Sequence, residues 1–157
     1  MIPSSTPPLE QTAPTESGGI AQQLQQVFRE ECQRRAARAA EQLAQSSGVP
    51  PPEALDQIHQ EFDSLHGAAR AVDLRCVESY ARLLARLARA LRNHACRATA
   101  ADWDLLARGV ALTPQLCHCT LGLDPPRHQQ DMQRLAAEMD QAWERLRGDI
   151  PLPEGER

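Results

Sequence analysis

Lysine is absent from the 157 residues, and all 17 basic side chains are arginine. An excess of arginine, alanine and proline is what a GC-rich bacterial genome produces, so no function is read from it. Aromatic residues are nearly as scarce, at 3% of the chain. A sheet core draws on aromatic and β-branched side chains, whereas the abundant alanine and leucine suit closely packed helices. No alternation of strand type bounded by turn signals occurs, and no internal repeat. No apolar run approaches the roughly 20 residues of a bilayer span, and no signal-peptide pattern opens the chain, so a cytoplasmic location is expected. Basic excess is missing too: a net charge of −4 argues against a general nucleic-acid binder.

Five cysteines form no regular framework and read as small core or surface residues of a reducing compartment. Cys117-His118-Cys119, with His94, Cys96 or His128 as further ligands, departs from the two-residue spacing usual between paired zinc cysteines. No metal and no cofactor are expected.

What is present is helical periodicity. The length suits one domain with a four- or five-helix core. Met1 to Ser17, rich in proline, serine and threonine, buries too little apolar surface to order itself, so residues 1–18 read as a flexible tail. The bundle is expected over 19–148, followed by a second tail at 149–157. A first helix runs from about Gly19 to Gln45 on Ile20, Leu24, Val27, Cys32, Ala36, Ala39 and Leu43, widened by Phe28. Gly48 and Pro50 to Pro52 stop it. After a turn at Asp73-Leu74, a third helix follows on Val77, Tyr80, Leu84, Leu87 and Leu91. Arg75, Arg82, Arg86 and Arg89 lie opposite that stripe, as a solvated face or as a rim for an acidic partner. Thr99 and Asp102 resemble a capping box for a fourth helix through Trp103, Leu106 and Val110. Pro114 kinks that helix or, with Thr113 as cap, restarts it. A last helix, opened by Asp124-Pro125, carries Met132, Leu135, Met139, Ala142, Trp143 and Leu146. An up-down antiparallel all-α bundle follows.

The second helix, Glu53 to Val72, organises the rest. Leu55, Ile58, Phe62, Leu65, Ala69 and Val72 alternate by three and four, forming its core stripe. On the other side, His59, Asp63, His66 and Arg70 are neighbours, being three, four or seven apart, with Gln60 and Gly67 beside them. A glycine inside a helix costs roughly 1 kcal/mol relative to alanine, so Gly67 suggests a close approach to the backbone there.

Asp63-Ser64-Leu65-His66-Gly67-Ala68-Ala69-Arg70 resembles the acceptor helix of histidine phosphotransfer (HPt) domains, whose motif is His-x-x-Lys-Gly followed by small residues. The wording is closest to HPt modules of chemosensory kinases linked to type IV pilus motility. In that family the histidine relays a phosphoryl group, the lysine supplies positive charge, and the glycine clears space for a receiver domain. Here the acceptor position is Asp63 and the lysine position His66. Only Gly67 keeps the family residue, with Ala68 and Ala69 behind it.

The resemblance therefore implies a degenerate, non-catalytic member. A carboxylate is a poor substitute for a nucleophilic imidazole, although it holds a permanent negative charge at that place. His66, displaced about 4.5 Å along the axis and about 60° around it, is the fallback acceptor. Its offset spoils in-line attack. The expected partner is a response-regulator receiver domain or a histidine kinase, with no nucleic acid, membrane insertion or small-molecule substrate. The expected contact residues are His59, Gln60, Asp63, His66, Gly67 and Arg70. Two alternatives stand beside this: active phosphotransfer through His66, and a purely structural helical subunit.

Overall fold

The computed structural model describes residues 8–116 and 126–148, with side chains from 19 to 116 and from 130 to 148. Five α-helices, one 3₁₀ turn and no strand occur among them: α1 (Pro8–Ala44), α2 (Pro52–Ala71), α3 (Arg75–Asn93), the turn Ala95–Arg97, α4 (Ala100–Leu116) and α5 (Pro126–Arg147). The expected all-α class holds. The Cys117-His118-Cys119 run and the Asp124-Pro125 start of the last helix lie outside the described residues. None of the described helices is long and apolar enough to cross a membrane.

The core is built from the stripes that the sequence shows. Leu55, Ile58, Phe62, Leu65 and Ala69 of α2 meet Val77, Tyr80, Leu84, Leu87 and Leu91 of α3, with Leu106 and Val110 of α4 and Met139 and Leu146 of α5. The α2–α3 pair is antiparallel, since contacts run from His66–Glu78 through His59–Ala85 to Asp56–Arg92. The α4–α5 pair is antiparallel too, joined by Asp102–Arg145 and Arg108–Glu138. Arg97 donates to the carbonyls of Leu146 and Gly148, both at 3.2 Å. It thereby satisfies acceptors that the end of α5 leaves open.

Local signals explain the joints. Pro52 sits in the first turn of α2, where a missing amide proton costs nothing. At the other end Leu74 N–H donates to Ala69 O (2.9 Å) and Asp73 N–H to Arg70 O (3.1 Å), the paired bonds of a Schellman cap. Asp73 takes the left-handed position with φ 58°, which aspartate tolerates better than most residues. Leu74 closes the motif by packing on the core. Ahead of α4, Thr99 N–H donates to Asp102 Oδ2 (2.8 Å) and Asp102 N–H to Thr99 Oγ1 (3.3 Å), so the capping box forms with aspartate in place of glutamate. The helix then continues through Pro114 to Leu116, neither capped nor restarted at Thr113, whose hydroxyl instead donates to Gly109 O at 2.9 Å.

Three expectations for α1 need correction. The helix starts at Pro8 instead of Gly19, since proline is well accommodated at a helix start. Ile20, Leu24 and Val27 are 59%, 53% and 62% exposed: no described helix covers α1 there, and its core contacts come from Phe28, Cys32, Ala36 and Ala39, with Leu43 packed at the edge. Cys32 is a small buried core residue, as expected, but it is disulfide-bonded, against the expectation of a reducing compartment. Cys76 and Cys96 are free and exposed.

Candidate functional site

The open face of α2 is defined by what covers its flanks. On one side Glu61, 3% exposed, accepts from Arg35 of α1 at 2.9 Å and from Gln57 at 3.1 Å. A buried carboxylate without such partners would cost several kcal/mol, so this contact ties α1 to α2. On the other flank lies α3. What remains between the flanks is the arc holding Asp56, Gln60, Asp63 and Gly67, which at about 100° per residue fall within about 60° of one another around the axis.

The six sequence-derived site residues divide into two groups. Gln60, Asp63, Gly67 and Arg70 are exposed. Among the described residues Asp63 and Arg70 make no ion pair, with each other or otherwise. His59 and His66 instead turn toward α3 and are half-buried. His59 Nδ1 lies 2.9 Å from Ala85 O. A carbonyl only accepts, so Nδ1 carries the proton. His66 Nε2 lies 3.3 Å from Glu78 Oε1; facing a carboxylate it too is the donor, with no lone pair to offer in that contact. Sequence spacing groups four polar residues on one side of α2, but α3 takes the two imidazoles out of that group. Glu78 and Ala85, which hold them, are the residues sequence reading missed. They sit about two turns apart on α3, matching the His59–His66 spacing, and antiparallel pairing makes that register readable.

Gly67 is open. A methyl group built there would meet no other part of the fold within 4 Å, so internal packing does not account for the glycine. Gly67→Ala is therefore expected to stabilise the protein by about 0.5–1 kcal/mol, through helix propensity and a less free unfolded chain. Thermal denaturation followed by circular dichroism checks this; a lowered midpoint would mean that the backbone there is less regular than described.

Chemically the face offers one unpaired carboxylate, one unpaired guanidinium and a bare stretch of backbone. No group of three or more His, Cys, Asp or Glu side chains arranged to hold a metal occurs among the described residues. Fold and face together define a helical bundle presenting one charged, sterically open helix surface. No protein-family model, no curated protein and no solved structure matches the chain.

Proposed function

We propose that this is a non-catalytic signalling protein of the HPt type, which docks a response-regulator receiver domain or a chemosensory kinase. The observation that carries the reading is Gly67: exposed, unexplained by packing, and one turn from an unpaired Asp63. A helix gives up roughly 1 kcal/mol to keep glycine in its interior, and a partner lying close against the backbone is the return for that loss. Phosphoryl relay is disfavoured by the imidazoles. An acceptor must be positioned for in-line attack; the hydrogen bonds of His59 Nδ1 and His66 Nε2 leave the second nitrogen of each ring unprotonated but turn both rings toward α3, away from the open arc of α2. Asp63 then serves as a fixed negative charge on the docking face.

The test is titration of the full-length protein with receiver domains encoded in the same genome, charged with acetyl phosphate, following complex formation and phosphate together. A complex without transfer is expected. The combined variant Gly67→Leu, Asp63→Lys, His66→Ala should weaken it at least about tenfold, since losing central interface contacts typically costs more than about 1.4 kcal/mol. Undiminished binding by that variant removes the proposal. So does acid-labile, base-stable phosphate on the wild type that His66→Ala abolishes, because the protein would then be a working phosphotransferase.

A further inference from the structure

Eight arginines pair with acids among the described residues. Arg35 meets Glu61, Arg92 meets Asp56, and Arg145 meets Asp102. Even in the groove of about 560 Å³ between α4 and α5, Arg108 pairs with Asp104 and Glu138, and Arg134 with Asp131. Of the others, Arg29 and Arg38 on α1, Arg70 on α2 and Arg97 in the 3₁₀ turn are scattered, whereas three lie together on α3. Arg82, Arg86 and Arg89 make no ion pair among the described residues. Spaced by four and three, they form a single row on α3, opposite the core stripe of Val77, Leu84 and Leu91. Glu78 is the one acidic residue of α3, and it faces His66.

Alongside the row lies Trp143 of α5, half-buried. The guanidinium carbon of Arg86 is 4.8 Å from its ring centroid and that of Arg147 is 4.2 Å from it. Stacking on an indole contributes about 0.5–1 kcal/mol at an exposed site. It also holds a guanidinium in a fixed plane while its N–H edges stay available, the arrangement that suits bidentate recognition of a carboxylate. Three uncompensated positive charges at helical spacing, one of them pre-oriented, stand on a protein whose net charge is −4. Like charges at i,i+4 destabilise a helix by a few tenths of a kcal/mol, so the row is kept against a local cost.

We infer that the Arg82–Arg86–Arg89 row, with Trp143 at its edge, is a docking surface for an acidic helix of a partner protein, one carrying carboxylates at i, i+4 and i+7 to match the row. A nucleic acid is the poorer fit: the acidic net charge repels a polyanion over long range, whereas a short acidic helix meets only the local field. This surface is separate from the α2 face and does not rest on the reading proposed for it.

The experiment uses the full chain and a synthetic helical peptide with glutamates at i, i+4 and i+7. Two probes accompany it, the same composition with scrambled glutamates and a short DNA duplex. Binding is followed by calorimetry and by Trp fluorescence at low and physiological salt. The matched peptide should bind at least about tenfold more tightly than the scrambled one, and the affinity should fall as salt screens the charges. R82Q/R86Q/R89Q should lose at least about tenfold while keeping the helical circular dichroism of the wild type at the assay temperature. The combined α2 variant described above should bind the peptide as the wild type does. Equal binding of both peptides, equal binding by the glutamine variant, no binding at all, or tighter binding of the duplex would each overturn the inference.

Discussion

Phe62→Ala is expected to cost about 3–5 kcal/mol, the usual range for removing a fully buried phenylalanine. Phe62 is 0% exposed and occupies the middle of the α2 stripe, where the core residues of α2 and α3 converge. Its neighbour in sequence is Asp63, on the open side. Total stabilities of natural domains run to about 5–15 kcal/mol, so this single truncation consumes a large share and loosens the helix that carries the candidate face. Chemical denaturation should show a lower midpoint with little change in slope. A loss below about 1 kcal/mol would mean that the core collapses readily into the vacated space.

Gly109→Leu is the second large effect. A Cβ at Gly109 would stand 2.5 Å from Leu84 Cδ1, with Met139 Sδ at 3.5 Å and Tyr80 Oη at 3.6 Å. Leu84 is fully buried, so it has to move into occupied space. The Gly109 carbonyl also accepts the Tyr80 hydroxyl at 2.6 Å and the Thr113 hydroxyl at 2.9 Å, and displacing α4 from α3 breaks the bond to Tyr80. Burial raises the pKa of that phenol well above its ordinary value, so it stays a neutral donor whose loss leaves a buried hydroxyl unpaired. Overpacking of this kind costs about 1–3 kcal/mol and sometimes more; with the hydrogen bond included, about 3 kcal/mol or more is expected. A double-mutant cycle separates the causes. If the collision with Leu84 dominates, Leu84→Ala will cost much less in the Gly109→Leu background than alone. Additive costs would place the damage in the hydrogen bonds.

The two glycines also measure what the sequence conveys. Gly67 draws attention by breaking a helical pattern in a polar patch, yet nothing in the fold uses its missing side chain. Gly109 sits unobtrusively inside α4, where a Cβ would collide with Leu84 of α3, a property of the neighbouring helix that one-dimensional spacing does not encode. The same distinction runs through the rest. Leu55, Ile58, Phe62 and Leu65, and Val77, Tyr80, Leu84 and Leu91, are legible because helical periodicity fixes which residues share a face. Thr99 and Asp102 are legible because a capping box is local. Ile20, Leu24 and Val27 have an equally good pattern but remain exposed, since periodicity cannot say whether another helix will cover the stripe. His59 and His66 fall at the edge of the polar arc, where the approach of α3 decides between solvent and contact. Arg82, Arg86 and Arg89 are readable as a row, but their lack of counter-charges is a three-dimensional fact.

The Schellman cap at Asp73 has a consequence for motion. It joins α2 to α3 with almost no intervening chain, so the helices bearing both surfaces meet through short-range contacts, and closing such a connection costs little entropy. Contacts of this kind form early and reopen as a unit. Amide hydrogen exchange should then report α2 and α3 as one cooperative block, slower than the uncovered half of α1 around Ile20 and Leu24. Fraying of that half leaves both candidate surfaces intact, whereas any fluctuation that parts the hairpin erases them at once. Binding at either proposed surface is for that reason expected to be coupled to the same opening equilibrium, an occupant of one slowing solvent exchange beneath the other without touching it.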